Sequence, residues 1–362
     1  MEKRNKNIIL VLTIVAIILV IFLIEYSKVG FTSLSENATT NLGLNSGQAI
    51  SEAQKYPPAE EFVDPSGFIN SAPFNLSQYI GKDVILIDFW DYSCINCERT
   101  IPYVEGWYKK YSGKGLIIIG IHTPEFDFEK NITNVETAVK RFGITYPVVL
   151  DNNYQTWQAY GNEYWPHEYL IDINGYIPYN HIGEGGYNET ESEIQKLLLQ
   201  RAQVLGIDNL SLPSGMVNVS MVQPNFNDIG TAEIYFGYGF SRGQNGNSDG
   251  WQPGQIVNYT ATSAIIPGDF YLSGKWKNNN DNMELVGNNG SVYLEYTAKD
   301  VNIVSGSSPI TPVVSYIDGS RVNLVYVGNQ TLYHIVNGDS YGTHKLRLDV
   351  NKGFKIYTFT FG

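Results

Sequence analysis

The sequence predicts an α/β domain followed by an all-β, jelly-roll-like sandwich domain, both behind one N-terminal transmembrane helix. Three observations predict it. Residues 8–24 are apolar except for Thr13, which is close to the minimum needed to cross a bilayer as a helix. Between residues 59 and 205 buried-strand and helix patterns alternate, as they do in three-layer α/β domains. After residue 227 short alternating strands separated by Gly and Asn turns follow one another with almost no helical period, which suits a sandwich or jelly roll.

At the N-terminus Lys3, Arg4 and Lys6 precede the apolar run, and only Lys28, offset by Glu25, follows it closely. The positive-inside rule then leaves the N-terminus in the cytoplasm and everything after residue 28 outside. An uncleaved anchor is preferred to a cleaved signal peptide. The run is long for a signal-peptide core, and Glu25-Tyr26-Ser27-Lys28 offers no small-x-small cleavage site. Residues 1–28 are thus the cytoplasmic end and anchor of a single-pass cell-membrane protein. Residues 29–58, polar and small and closing on Pro57-Pro58, read as a flexible tether.

Within residues 59–205 the strands are expected at Val84 to Phe89, Leu116 to Ile121, Tyr146 to Leu150 and Tyr169 to Asp172. Helices are expected at Cys94 to Tyr111, Asn134 to Phe142 and Glu191 to Leu205. Residues 206–227 form a linker marked by Pro213-Ser214-Gly215 and Pro224-Asn225. Residues 228–362 are the all-β domain, whose expected strands include Phe270 to Trp276, Ser291 to Ala298, Thr331 to Val336, His344 to Val350 and Phe354 to Phe361.

Composition narrows the partners. With 36 acidic against 24 basic residues and a net charge of −12, the surface repels phosphate backbones, so nucleic acid is excluded as a partner. The 26 tyrosines favour strands over helices. Nine Asn-X-Ser/Thr sites, from Asn37 to Asn329, agree with surface exposure and glycosylation.

The chemistry centres on the only two cysteines, Cys94 and Cys97. A disulfide at this spacing closes a tiny loop and removes little entropy from the unfolded chain, so it makes a poor staple. Zinc would need further ligands, and the five histidines are scattered singly. Redox exchange is the remaining chemistry. Cys94 falls where a helix begins, and backbone N–H groups there favour its thiolate, which marks it as the attacking sulfur. Cys97, one turn further in, is the shielded thiol that resolves the mixed disulfide. Asp88 ends an otherwise apolar strand six residues before Cys94; burial would make it a usable base, while a strand-end turn cap is the ordinary alternative.

The stretch from Phe89 to Tyr103 (FWDYSCINCERTIPY), with His122 to Phe126 (HTPEF) and Tyr164 to Asp172 (YWPHEYLID), resembles the soluble part of DipZ-type proteins, and residues 60–205 look like a TlpA-like thioredoxin fold. The segments Ile234 to Tyr238, Leu272 to Trp276 and Tyr357 to Gly362 are similar to the C-terminal β-sandwich of that family, which is likened to carbohydrate-binding modules. DipZ-type proteins begin with a multi-helix electron-conducting membrane domain, where this chain has a single apolar run.

The resemblance implies a membrane-anchored thiol-disulfide oxidoreductase, in the reductase direction, with no cofactor beyond the redox-active Cys94–Cys97 disulfide. Asp88 then sits at the buried acid that relays the proton of the resolving thiol. Trp165-Pro166 matches the cis-proline segment that faces the cysteines and binds the extended substrate, and Trp90 is grouped with it as substrate-binding. Pro102 matches the proline that kinks the active-site helix. The implied partners are thiol- or disulfide-containing exported proteins and a CcdA/DsbD-like membrane electron donor. His122, Glu125 and His167 lie near these motifs but read as structural. A peroxiredoxin reading fails because Asp91 stands where a Thr or Ser would be required. In the β domain Trp251, Trp276, Tyr271 and Tyr293 could stack on carbohydrate, with core packing as the default. A surface glycan-binding or adhesive protein with a non-catalytic thioredoxin scaffold is the competing function.

Overall fold

The computed structural model describes residues 55–220, 223–261 and 264–362. The apolar run at 8–24 and nearly all of the expected tether lie outside these residues. Among the described residues no helix is long and apolar enough to cross a membrane.

The first domain is a six-stranded sheet with helices against it. Its strands are β1 (Gly67–Ile69), β2 (Val84–Trp90), β3 (Leu116–His122), β4 (Val148–Leu150), β5 (His167–Ile171) and β6 (Tyr179–Ile182). They lie in the order β1-β4-β3-β2-β5-β6. β2, β3 and β4 run parallel, and β5, β6 and β1 are antiparallel to their neighbours. The helices are α1 (Ile95–Tyr111), α2 (Ile132–Phe142), α3 (Gln155–Ala159) and α4 (Tyr187–Val204). This is the thioredoxin fold.

β2 is buried along its whole length, as a central strand covered on both faces must be. Val84, Leu86 and Trp90 face the core that also holds Cys97, Val104 and Trp107 of α1 and Leu197 of α4. Ile85, Ile87 and Phe89 face the opposite core with Phe74 and Ile171. By the same alternation Asp88 points to the α1 side.

Two helices begin earlier than expected. Asn131 accepts a hydrogen bond from the Thr133 N–H at 2.9 Å, so α2 begins before Asn134. Gly143, at φ 67°, ends it. α4 begins at Tyr187 and its Glu191 is buried, held by Trp107 Nε1 at 3.2 Å, Lys110 Nζ at 2.7 Å and Tyr111 Oη at 2.7 Å. Glu191 also accepts from the Val217 N–H at 2.6 Å, so the linker is packed down on α1 and α4. A Cβ on Gly106 of α1 would come within 2.5 Å of Val217 Cγ1, which is why that face of α1 carries glycine.

The second domain contains β7 (Ile234–Tyr235), β8 (Ile256–Tyr259), β9 (Phe270–Asn278), β10 (Met283–Leu285), β11 (Asn289–Ser307), β12 (Thr311–Ile317), β13 (Ser320–Val327), β14 (Thr331–Asn351) and β15 (Phe354–Phe361). Thr331 to Val336 and His344 to Val350 are not separate strands but parts of β14, paired to the similarly long β11 with register shifts near Ala298 and Val301. β11 also pairs with β9 through Ser291–Leu294 and with β15 through Val301–Ser307, so one sheet bends over its own core. Trp276 and Tyr271 are buried in this domain, which removes them as sugar-stacking residues; Trp251 is half-buried, with its Nε1 donating to Phe236 O at 2.8 Å.

The two domains share apolar packing. Tyr357 of β15 lies 5.2 Å from the Phe126 ring and 4.9 Å from the Phe128 ring, both from the segment after β3. Val304 and Leu332 belong to the same cluster as the core beneath α1.

Candidate active site

Cys94 caps α1 in extended backbone, φ −79° and ψ 118°, directly after the short loop that leaves β2. The helix starts one residue later, so Cys97 lies one turn in and faces the core. Both thiols are unbridged; Cys94 is half-buried and Cys97 is 1% exposed. The Cys97 thiol donates to the Cys94 sulfur and, with the Cys97 backbone amide, favours a charged Cys94. Burial and the carboxylates of Asp91 and Glu233 oppose this and leave the Cys94 thiol above its ordinary range. The helix N-terminus expected to sharpen Cys94 is therefore countered by negative charge around it. Burial, then Cys94 itself, pushes Cys97 well above the usual thiol range.

On the α1-facing side of β2, Asp88 is 1% exposed and burial alone raises its carboxyl to about 7. Directly across the sheet from it stands Glu168 of β5, also 1% exposed. Burial and the Asp88 charge push Glu168 far above the carboxylate range. The buried Tyr146 hydroxyl lies close enough to feel Asp88, Cys97 and Glu168.

A second acidic group surrounds the loop before Cys94. Asp91 is buried, with its Oδ1 3.3 Å from the Ser93 N–H and 3.6 Å from His122 Nε2. Ser93 Oγ also donates to buried Glu129, which in turn accepts the Phe126 N–H at 2.7 Å. The β domain completes the surround. A cavity of about 350 Å³ opens at Cys94 and is lined by Trp165 and Glu125 on one side and by Glu233, Tyr235 and Arg242 on the other.

The residues read from the sequence thus divide. Cys94 and Trp165 meet in the cavity, Cys97 lies in the core under α1, and Asp88 is buried on the face of β2 that points to that core. Trp165-Pro166 is a cis peptide. Trp165 is half-buried, its Nε1 donating to Thr123 O at 3.0 Å. Trp90 requires correction: it is fully buried and packs edge-on against His122 at 5.1 Å, so no client can touch it. Its place on the inner face of β2 decides this. Pro102 lies within α1. His122 and His167 are buried, His167 being held by Asn162 at 2.5 Å, while Glu125 faces the cavity.

Glu168 and Asp91 were legible as carboxylates inside apolar surroundings, the same anomaly that singled out Asp88. Glu233, Tyr235 and Arg242 carried no such signal, because only domain packing brings them to Cys94.

Residues 58–198 match the Redoxin family model, and residues 231–362 match that of the thioredoxin like C-terminal domain. Protein DipZ of Mycobacterium tuberculosis and of Mycobacterium bovis is 36% identical over 323 residues, covering 88% of this chain and 45% of DipZ. The chain therefore spans a little under half the length of these relatives. Thiol-disulfide oxidoreductase ResA of Geobacillus thermodenitrificans is 38% identical over 102 residues, 28% of this chain and 55% of ResA. A solved thiol:disulfide interchange protein from Chlorobium tepidum overlays 40% of this chain and 97% of its own with a TM-score of 0.35 at 21% identity.

Proposed function

Taking the chain as a DipZ homologue that joins a Redoxin domain, of the thioredoxin-like thiol-disulfide oxidoreductase class, to a thioredoxin-like C-terminal domain, we propose that it reduces disulfides of exported proteins through Cys94 and Cys97. The Cys94 thiolate attacks a client disulfide, forming a Cys94–client mixed disulfide and releasing one client sulfur as a thiolate that takes up a proton. Cys97 then loses its proton, attacks Cys94 Sγ and releases the second client sulfur. The Cys94–Cys97 disulfide is left and the client has gained two electrons. A CcdA/DsbD-like membrane dithiol would return the electrons. The apolar run at 8–24 supports a membrane-anchored, extracytoplasmic site.

One observation carries the reading: Cys94 opens on a cavity while Cys97 is buried behind it. That asymmetry lets a client reach one sulfur and leaves the other to resolve. The Cys97→Ser variant is expected to accumulate dithiothreitol-sensitive mixed disulfides, and Cys94→Ser is expected to form none. Absence of adducts in both would sink the proposal. A reduction potential of the pair near about −270 mV supports the reductase direction, whereas one near about −120 mV assigns an oxidase.

A further inference from the structure

Two carboxyl groups stand opposite each other in the sheet of the α/β domain. Asp88 of β2 and Glu168 of β5 are opposite one another across an antiparallel pair, so both side chains rise on the same face of the sheet. Each is 1% exposed. Among the described residues Asp88 Oδ1 and Glu168 Oε1 have no hydrogen-bond partner, and Glu168 Oε2 accepts from Thr190 Oγ1 at 3.3 Å.

The buried Tyr146 hydroxyl, before β4, senses both carboxyls and also Cys97 and Glu105 of α1, while Tyr179 of β6 and Tyr187 of α4 sense Glu168. All of them are neutral or acidic, so the pair has no positive neighbour among them. Two like charges buried on directly opposed residues disfavour ionising together, and one proton then stays on the pair.

We propose that Asp88 and Glu168 form a proton-sharing carboxyl pair that serves Cys97 as acceptor in one direction of exchange and as donor in the other. This rests on the exchange chemistry proposed above. When Cys97 attacks the mixed disulfide, its thiol proton passes to the singly protonated pair, which becomes neutral. When the Cys94–Cys97 disulfide is reduced by a dithiol, the S–S bond breaks and the Cys97 thiolate takes a proton back from the pair. The incoming dithiol is oxidised and no further reactant is consumed. A lone Asp88 would do one of these at a given pH, since a carboxylate accepts and a carboxylic acid donates. Glu168 is thus a second member of the relay, acting through Asp88 and the compartment floored by Tyr146.

Infrared titration of the intact wild-type protein, with isotope-labelled Glu, is expected to show a protonated buried carboxyl at pH 8. Its absence there overturns the proposal without any variant. Glu168→Gln is expected to slow reduction of the Cys94–Cys97 disulfide by dithiothreitol about tenfold at pH 8, while oxidation of the dithiol changes less than about twofold. At pH 6 the two directions should again be close to wild type, and Glu168→Asp should restore the pH 8 rate. Equal slowing in both directions, or none, identifies a packing role and overturns the relay. If the wild type fails to exchange disulfides at all, the functional reading itself falls, a result distinct from either.

Discussion

Tyr235 of the β domain places its hydroxyl 2.6 Å from Glu125 Oε1 of the α/β domain and 2.8 Å from Glu233 Oε2 of its own strand segment. A phenol has one hydrogen to give, so only one carboxylate can accept it and the other must carry a proton to bind. Burial, then Glu233, holds Glu125 well above the carboxylate range, and burial raises Glu233 as well. The Arg242 guanidinium lies over the Tyr235 ring at 4.5 Å and closes the cluster at the edge of the Cys94 cavity.

Tyr235→Phe removes the shared hydrogen and leaves two carboxyls short of a partner. We expect a loss of about 1–3 kcal/mol in urea unfolding. Both glutamates bind protons more tightly folded than unfolded, so their contribution is complete below the ordinary carboxylate pKa of 4.5 and is lost as pH rises. The Tyr235 hydroxyl lowers the proton affinity of both glutamates, so the variant should steepen the loss of stability with rising pH. An unchanged curve would show that the hydroxyl does not bridge the domains in solution.

Asp88 contributes to a second pH effect. Its pKa is 3.8 when free and about 7 in the fold, so the folded state holds the proton more tightly. Its stabilising share is present below pH 4 and is lost as pH rises to about 7, on the order of 4 kcal/mol. Glu98, raised to about 7 by burial, acts in the same window. Asp88→Asn should be more stable than wild type at pH 8 and lose part of the slope, as measured by chemical denaturation at stepped pH. Equal stability of the two proteins at pH 8 would mean that Asp88 is solvated.

Gly120 of β3 lies beside Asp88 in the parallel register. A Cβ there would sit 2.8 Å from Trp90 Nε1 and 3.1 Å from Tyr146 Cε2, and both rings are fully buried. Gly120→Ala should cost about 1–3 kcal/mol through overpacking, read from thermal unfolding. A neutral result would show that Trp90 can yield.

Trp165 lines the cavity next to Cys94 and leans on Trp157 at a ring separation of 4.2 Å. Removing it should weaken client binding more than chemistry. For Trp165→Ala we expect KM for a disulfide peptide to rise about tenfold with kcat changed less. A fall in kcat alone would assign Trp165 to positioning of the cysteines instead.

Much of this arrangement was readable from local pattern. The continuous apolar run of β2, the helix after Cys94 and the strand after Pro166 are set by neighbours in the chain, and periodicity reports neighbours. Trp90 was misplaced because a residue four before Cys94 is near it in sequence, yet the two-residue period of β2 turns its ring into the core. β14 was split in two because Gly338 and Gly342 look like turn residues, whereas β14 pairs with β11 on both sides of an irregularity between Asn337 and Gly342.

The paired cysteines, the acid six residues before them and the α/β-then-β order of the chain were legible in the sequence, since each is a matter of residue type at short spacing. Tertiary structure alone decided that Glu168 stands opposite Asp88 and that Glu233, Tyr235 and Arg242 wall the Cys94 cavity. Strand register and domain docking join residues far apart in the chain, and they are set by the total burial and complementarity of surfaces rather than by any local pattern.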